Sequence, residues 1–241
     1  MNIKNQQIKL GDISLDVVRK DIKNVHLSVY PPTGRVRIAA PLRMNLDTLR
    51  IFAISKLGWI KKHKNKFLNQ KRESPREYIS RESHYFLGKR HLLKVVEHDA
   101  PPKVAIKHET MEMYIRPNTG LEKRREILDE WYRRQLKEIV PGMISQYEEM
   151  MKVKVDEFGI KKMKTRWGTC SIGAKRIWLN LELAKKQRHY IQYIIAHEML
   201  HLLERRHNDI FISNLDKFVP QWRFYKEELN RSALSHANWN H

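Results

Sequence analysis

The pentapeptide His197-Glu198-Met199-Leu200-His201 contains two imidazoles and one carboxylate at helical spacing. Residues four apart lie on one face of a helix, so His197 and His201 can bind the same metal ion. A catalytic zinc ion has three protein ligands at about 2.0–2.2 Å and a fourth position open for water. Glu198 lies beside the two histidines, where its carboxylate can take a proton from metal-bound water. The spacing therefore predicts a hydrolytic site with one Zn²⁺, although imidazole ligands also suit other divalent metals.

The third metal ligand is expected downstream of the pentapeptide, and His207 is the candidate. It follows His201 by the same offset as in the metzincin pattern, but Glu204 stands where that pattern has glycine. On an uninterrupted helix His207 would lie about 9 Å further along the axis and on another face. The helix is therefore predicted to end near residues 204–206, before the turn-forming pair Asn208-Asp209.

The helix that carries the histidine pair is predicted to be buried. Apolar residues surround its axis almost completely: Tyr190, Ile191, Tyr193, Ile194, Ile195, Ala196, Met199, Leu200, Leu202 and Leu203. A helix of this kind packs into a core. A glutamate buried between two histidines is costly without a partner, and a dication is such a partner. The alternative is a helix that carries histidines on its surface.

The chain is strongly basic, with 47 Lys and Arg against 27 Asp and Glu, a formal net charge of +20. The positive electrostatic field of such a chain attracts anions, which include nucleotides, nucleic acid, acidic membranes and acidic proteins. Basic clusters occur at residues 61–64, 123–125, 133–134, 161–164 and 205–206. The last two flank the expected metal site in sequence and favour a negatively charged substrate. For any single cluster, a solvated helix face is the alternative interpretation.

The composition limits the class of protein. A chain of 241 residues can bury a core in one or two domains. The single cysteine, Cys170, excludes an intrachain disulfide and is expected to be a small core residue. Residues 1–12 lack the apolar stretch of a signal peptide, and no apolar run approaches the ~20 residues of a membrane span. These features predict a cytoplasmic protein without a membrane interaction.

An N-terminal β-rich region is predicted over residues 1–118. Alternating apolar residues at 13–19, 26–30 and 35–39 indicate an antiparallel meander, and an amphipathic helix follows at 46–67. Residues 71–81 are expected to form a loop. Short strands are predicted at 85–87, 91–96, 104–107 and 111–115.

The C-terminal region is predicted to span residues 119–232, with a flexible tail at 233–241. Thr119-Gly120-Leu121-Glu122 has the pattern of a capping box, and the long helix behind it is expected to bend or break at Pro141-Gly142. Strands are predicted near 158–170 and 176–179, before the helix of the pentapeptide. A last helix at 214–230 is interrupted at Pro220. The two regions together indicate the α+β class.

Several residues near the expected metal site could bind a substrate. Lys164 and Arg166 lie two apart on the predicted strand, so they point to one side and could hold phosphates. Trp167, Trp178 or Tyr193 could stack on a base. The alternative is that Arg166 pairs with a carboxylate such as Glu182 and that the tryptophans fill the core.

The order of the motifs between residues 162 and 222 resembles that of a known family. The chain contains Arg166-Trp167-Gly168, then Ile177-Trp178-Leu179-Asn180-Leu181, Tyr193, the pentapeptide, and His207 with Phe211. These motifs resemble those of the YgjP-like metal-dependent hydrolases, whose C-terminal half is similar to zincin metallopeptidases of the gluzincin type. The N-terminal region fits this family by its pattern of elements only.

The resemblance implies that His197, His201 and His207 bind zinc and that Glu198 is the general base. It also implies that Arg166-Trp167-Gly168 lies on a strand beside the active-site helix. Proteins of this type have been regarded both as peptidases and as nucleoside-triphosphate pyrophosphatases that act on UTP. The resemblance does not choose between these activities.

Two classes of function remain open from the sequence. The first is a zinc-dependent hydrolase with a metallopeptidase-like fold, which acts on a peptide or on a nucleoside triphosphate. The second is a nucleic-acid-binding module, stabilised by zinc and without catalysis, that binds through the basic surface. The second class does not require Glu198, whereas the first requires it as the base. A catalytically inactive adaptor is disfavoured because the ligand set is complete.

Overall fold

The structure is a computed structural model that describes residues 6–30, 33–69, 76–163 and 166–231. The chain forms two compact units, Met1–Arg72 and Glu73–His241. Lys164 and the predicted tail at 233–241 lie outside the described residues. The α+β class is confirmed, with both β-sheets and α-helices in each unit.

The described residues of the first unit form a four-stranded sheet with two helices. Its elements are β1 (Gln6–Leu10), β2 (Ile13–Lys20), β3 (His26–Tyr30), β4 (Arg35–Pro41), α1 (Leu46–Ser55) and α2 (Leu57–Asn69). The strand order is β1-β2-β4-β3. The pair β3–β4 is antiparallel as predicted, but β1 was not predicted, and β2 pairs in parallel with β4 rather than with β3, so the sheet is not a meander. Alternation of apolar residues indicates the buried face of each strand but not its neighbour.

The helix predicted over residues 46–67 is divided at Lys56. Asn45 caps α1, because its side-chain oxygen accepts a hydrogen bond from the Thr48 N–H at 2.8 Å. At the end of α1, the Lys56 N–H donates to the Ala53 and Ile54 carbonyls. The two helices cover the apolar face of the sheet with Leu49, Ala53 and Ile60, which are fully buried.

The second unit, over its described residues, contains two sheets, four α-helices and a 3₁₀-helix at Leu181–Lys185. The strands are β5 (Ser83–Phe86), β6 (Lys89–Glu97), β7 (Lys103–Lys107), β8 (Thr110–Ile115), β9 (Glu157–Lys161), β10 (Gly168–Ser171) and β11 (Arg176–Asn180). The helices are α3 (Leu121–Met151), α4 (Arg188–Leu200), α5 (Asp209–Phe218) and α6 (Trp222–Arg231). The sheet orders are β5-β6-β8-β7 and β10-β11-β9. The interruption predicted at Pro220 separates α5 from α6.

The boundary between the units differs from the predicted boundary at residue 119. Strands β5 to β8 belong to the second unit, because Met111, Met113 and Ile115 share one apolar core with helix α3. The segment after β5 also joins the 3₁₀-helix, since the Leu87 N–H donates to the Ala184 carbonyl at 2.9 Å. Pattern analysis separates elements along the chain, whereas this boundary depends on which elements pack together.

Helix α3 differs from the prediction at its start, and it is not broken at Pro141-Gly142. The Thr119 hydroxyl donates to the Arg116 carbonyl at 2.6 Å, and the N-cap residue Gly120 makes no side-chain cap, so there is no capping box. The helix continues through Pro141 without a break. An interior proline costs about 3 kcal/mol, but burial of several side chains of 1.5–3 kcal/mol each offsets that cost. The neighbouring buried side chains are Leu136, Val140, Met143 and Ile144.

The small sheet β10-β11-β9 and helix α4 form the part of the second unit that contains the candidate site. The single strand predicted near residues 158–170 is two strands, with β9 parallel and β10 antiparallel to β11. Helix α4 is buried from Tyr193 to Leu200, as its apolar sequence predicts. No helix of the described ranges has both the length and the apolar character needed to cross a membrane.

Buried His84 of β5 should make the stability of the protein depend on pH. Burial lowers the pKa of His84 to about 4, and the charges of Arg76 and Lys185 act in the same direction against that of Glu82. An unfolded histidine has a pKa near 6.5. Between these values the unfolded chain binds one more proton, so stability falls as the pH falls from about 6.5 to 4.

The measurement is urea unfolding of the metal-free protein across this pH range. We expect His84→Leu to reduce the slope by up to about 1.4 kcal/mol per pH unit, the value for one proton. The exposed His108 provides the control, and His108→Asn should leave the slope as in the wild type. Equal slopes for His84→Leu and wild type would contradict the prediction.

Candidate metal centre

Three histidines converge at the C-terminal end of helix α4. His197 lies in the last turn of the helix, His201 follows its last residue, and His207 precedes helix α5. The Nε2 atoms of His197 and His207 are 3.2 Å apart, and one nitrogen from each ring lies within 4.8 Å of the others. Two nitrogens bound to one tetrahedral ion lie about 3.4 Å apart. The triad therefore has the dimensions of a site for one metal ion.

The turn between His201 and His207 ends the helix and returns the chain. The N–H groups of Leu203 and Glu204 donate to the Leu200 carbonyl at 3.0 and 2.8 Å. The Glu204 carboxylate then accepts a hydrogen bond from the Arg206 N–H at 3.1 Å. Glu204, which replaces the glycine of the metzincin pattern, thus closes the turn with its side chain. The helix ends slightly earlier than predicted, and His207 reaches the other two rings.

Backbone contacts orient one of the rings. The Nδ1 atom of His201 lies 3.3 Å from the Glu204 carbonyl oxygen. Donation of the Nδ1 proton to this carbonyl selects the tautomer whose Nε2 lone pair is free for a metal.

Phe211 packs against all three histidine rings. Its ring centroid lies 5.1 Å from that of His197, 5.0 Å from that of His201 and 4.5 Å from that of His207. The side chain is fully buried, and its backbone N–H donates to the Oδ1 atom of Asn208 at 3.1 Å. Asn208 therefore caps helix α5 and sets the position of the ring. Reasoning from individual residues missed this role, although a phenylalanine four residues after His207 was a usable signal.

Burial favours the neutral form of His201 and His207, which is the form that binds a metal. Burial lowers the pKa of His207 to about 4, with His201 and the positive charge of Lys226 acting in the same direction. Burial also lowers the pKa of His201. Lys226 is itself partly buried on helix α6, and this burial lowers its pKa.

Glu198 is buried against the first residue of strand β10. The residue is 3 % exposed, and burial raises the pKa of its carboxyl group to about 8, although the charge of Arg166 opposes this shift. A cation beside the carboxyl would favour the ionised form. A Cβ atom on Gly168 would lie 2.7 Å from both Cγ and Oε1 of Glu198, so only glycine leaves room for this carboxyl. The donor set and the buried carboxyl therefore fit a divalent ion.

The predicted substrate-binding residues have different positions. Arg166 is exposed, and its positive charge lowers the pKa of Glu198. Glu182 forms an ion pair with Lys185 rather than with Arg166. Trp167 is 2 % exposed, so its ring fills the core and cannot stack on a base. The strand β10 begins at Gly168, so Arg166 and Trp167 precede it. Lys164 lies outside the described residues.

Two further aromatic residues were expected near a substrate. Tyr193 is 1 % exposed, and its hydroxyl has no hydrogen-bond partner among the described residues. Burial raises its pKa, and the charge of Glu198 adds to the shift. Its ring therefore belongs to the wall behind the histidines. The half-buried Trp178 lies under Lys161, whose Nζ is 4.4 Å from the ring centroid.

Asn180 holds the segment that carries Arg166. Its side-chain nitrogen donates to the carbonyls of Met163 at 2.9 Å and Arg166 at 2.7 Å, and its Oδ1 accepts from the Met163 N–H at 3.3 Å. The residue is 2 % exposed at the end of β11. Its amide therefore holds the backbone of both Met163 and Arg166.

A cavity of about 580 Å³ opens beside His201. It is lined by Cys170, Ile172, Gly173, His201, Leu202, Leu203 and Arg205. Burial raises the pKa of the Cys170 thiol to about 11, with a smaller effect of Glu198, so the thiol is unreactive. The cavity offers an apolar wall and one guanidinium to a molecule bound at the metal site.

The three histidines, the buried carboxyl and the fold define a metal-dependent hydrolase with a metallopeptidase-like C-terminal region. The sequence model of the family described as "YgjP-like, metallopeptidase domain" matches residues 23–232, and the chain belongs to this YgjP-like family. A solved structure, the metallopeptidase zymogen of Pyrococcus abyssi abylysin, is 16 % identical, with a TM-score of 0.36. The similarity covers 38 % of this chain and 92 % of that chain. No curated protein matches the chain.

Because Gly168 lies so close to Glu198, a methyl group added at residue 168 should disturb both the site and the fold. Gly168→Ala should displace the carboxyl, lower hydrolytic activity by about 100-fold and destabilise the fold by about 1–3 kcal/mol. Activity assays and urea unfolding measure these effects. Gly142→Ala is the matched control, because nothing lies within 4 Å of its added Cβ atom. Full activity in Gly168→Ala would show that the observed contact does not constrain Glu198.

Removal of one histidine should destroy the metal site. His207→Ala leaves two histidine nitrogens at the site. Loss of a group that only orients a ligand lowers metal affinity by about 10-fold to 100-fold, so loss of a ligand itself should lower the affinity for Zn²⁺ by more than about 100-fold. Competition with a chromophoric chelator measures this affinity, with His108→Asn as the control. An unchanged affinity would mean that the metal binds elsewhere.

Proposed function

We propose that the protein is a zinc-dependent hydrolase in which Glu198 is the general base. The observation that carries this proposal is the position of a buried carboxyl beside three histidine nitrogens within 4.8 Å of one another. Imidazole ligands in a three-nitrogen set suit zinc. A binding module without catalysis would need the histidines but would gain nothing from a carboxyl that is costly to bury.

The histidines and Glu198 have different roles in the proposed reaction. His197, His201 and His207 would hold the ion, which when bound supplies a Lewis acid and acidifies water. Glu198 takes the proton of the attacking water and returns it to the leaving group, as a general base and then a general acid. The enclosed position of Glu198 keeps its proton from exchanging freely with bulk solvent.

The substrate supported best by the surrounding charges is a nucleoside triphosphate. Positive charges reach the site from three directions: Arg166 before β10, Arg205 in the turn after α4, and Lys226 on α6. Phosphoryl transfer needs several cationic donors because negative charge is spread over the phosphate oxygens. Attack of water on the α-phosphorus would break one phosphoanhydride bond and release pyrophosphate and a nucleoside monophosphate.

A peptide substrate is the second candidate, and strand β10 favours it. This strand lies at the edge of its sheet, paired with β11 on one side only in the described part of the unit. Its first residue, Gly168, touches the Glu198 carboxyl. An extended peptide could add to this edge through main-chain hydrogen bonds and place a peptide bond beside the metal ligands.

Glu198→Gln tests the hydrolase and separates the two substrates. The purified zinc-loaded protein is incubated with a panel of nucleoside triphosphates and with a denatured protein, while pyrophosphate and new peptide amines are measured. We expect pyrophosphate release that Glu198→Gln lowers by about 100-fold or more, since general-base catalysis contributes 10²–10⁴-fold. The exposed Glu149 of α3 supplies the control, and Glu149→Gln should retain activity.

The other outcomes are equally decisive. Peptide cleavage that is lost in Glu198→Gln would replace the nucleotide by the peptide as substrate. Full activity of Glu198→Gln on either substrate would contradict the role of this carboxylate.

A further inference from the structure

The basic charge of the chain is concentrated in the first unit. Residues 1–72 contain 16 Lys and Arg against four Asp and Glu, so this unit has a net charge of +12 out of the +20 of the whole chain. The second unit contains the metal centre and is more than twice as long. The excess of cations in the smaller unit is therefore not explained by the candidate hydrolytic site.

One face of the sheet in this unit is covered by the two helices, and the opposite face is open. Apolar residues such as Leu15, Val17 and Ile38 point to α1 and α2 and are fully buried. The residues that alternate with them form what we call the open face, which includes Lys9, Asp16, Lys20, Tyr30, Arg35 and Arg37. None of these six side chains is buried.

The strand register places these side chains in rows across the sheet. Asp16 is opposite Arg37, and Arg35 is opposite Tyr30. The Asp16 carboxylate accepts hydrogen bonds from Arg35 and from Gln7, which together hold its pKa below the usual range. The single acid of the six is thus already satisfied by its neighbours.

Three cations of the open face are left for an external anion. Within the described residues, Lys9, Lys20 and Arg37 take part in no ion pair. A surface with this arrangement attracts an anion that carries several charges.

Two rings lie among these cations on the edge strand β3. Tyr30 is 41 % exposed, and His26, four residues away on the same strand, is also exposed. Alternation along a strand places both rings on the open face. Cations interleaved with exposed planar rings are the combination that binds phosphates and stacked bases together.

We propose that the open face of the first unit binds single-stranded nucleic acid. Lys9, Lys20 and Arg37 contact the phosphates, and Tyr30 and His26 stack on the bases. A single strand fits better than a duplex, because the bases of a duplex are already stacked on one another and are not available to the rings. An acidic membrane is disfavoured, because insertion requires exposed apolar side chains beside the cations, and the aliphatic residues of this face, Val18 and Ala39, are only partly exposed.

The test is fluorescence anisotropy of a labelled 12-nucleotide RNA of mixed sequence with the full-length protein. We expect the double variant Lys9→Gln, Arg37→Gln to lower the affinity by about tenfold or more. The dependence of log affinity on log salt should become shallower by roughly 1.4, since each phosphate contact with a single strand contributes about 0.7.

A matched control lies on the covered side of the same unit. Lys61 and Lys62 are exposed on α2, so the variant Lys61→Gln, Lys62→Gln makes the same change in charge away from the open face. It should retain the affinity within about twofold. An equal loss in both variants would overturn the assignment to the open face, because net charge alone would then explain binding.

Substitution of Tyr30 tests stacking separately from charge. Tyr30→Ala should lower the affinity by about 5-fold to 100-fold without changing the salt dependence, whereas Tyr30→Phe should bind like the wild type. Equal binding by all three forms would overturn the role of this ring. Tyr30 lies at the exposed edge of the sheet, so neither substitution should unfold the protein. Thermal unfolding checks that each variant remains folded.

Unlabelled competitors show which kind of polyanion binds to the open face. Unlabelled single-stranded RNA or single-stranded DNA of the same sequence should displace the probe, and the difference between them reports the 2′-hydroxyl. The duplex of the same sequence should compete at least about tenfold more weakly. Competition of equal strength by the duplex, by polyglutamate or by vesicles with 30 % phosphatidylserine would overturn the proposal, as would the absence of any binding to the probe.

Discussion

The metal centre depends on three imidazole nitrogens reaching one point from two different elements. His197 and His201 share a helix face, but His207 reaches them only because α4 ends at Leu200 and the chain turns back before α5. The Glu204 side chain closes this turn, and the ring of Phe211 packs against all three histidines. The geometry is therefore built into the protein itself, since packed aromatic contacts and backbone hydrogen bonds restrict the rings.

Burial of Glu198 is the second constraint, and it is coupled to the small sheet. The carboxyl is enclosed because Gly168 of β10 allows the backbone to approach it, and burial raises its pKa to about 8. Asn180 holds the preceding segment, which places Arg166 close enough to act on the same group. A carboxyl in this position is unfavourable for stability and useful for proton transfer, a combination that is typical of catalytic sites.

The two units of the chain differ in their chemistry. The second unit contains the metal centre and a core shared by α3, α4 and the strands β6 to β8. The first unit has a small core of its own and most of the net charge of the chain. One unit contains a candidate hydrolytic site, and the other has a basic sheet face that also carries aromatic rings. This division is consistent with one enzyme that also binds a polyanion.

The sequence by itself determined the features that depend on local spacing. The i, i+4 relation of His197 and His201, the burial of α4 and the need for a turn before His207 all follow from helix periodicity. Only the tertiary structure decided the features that depend on distant packing. Examples are the parallel pairing of β2 with β4, the inclusion of strands β5 to β8 in the second unit, and the burial of Trp167. Apolar pattern shows which face of an element is buried, but its neighbour is chosen by the free energy of the whole core.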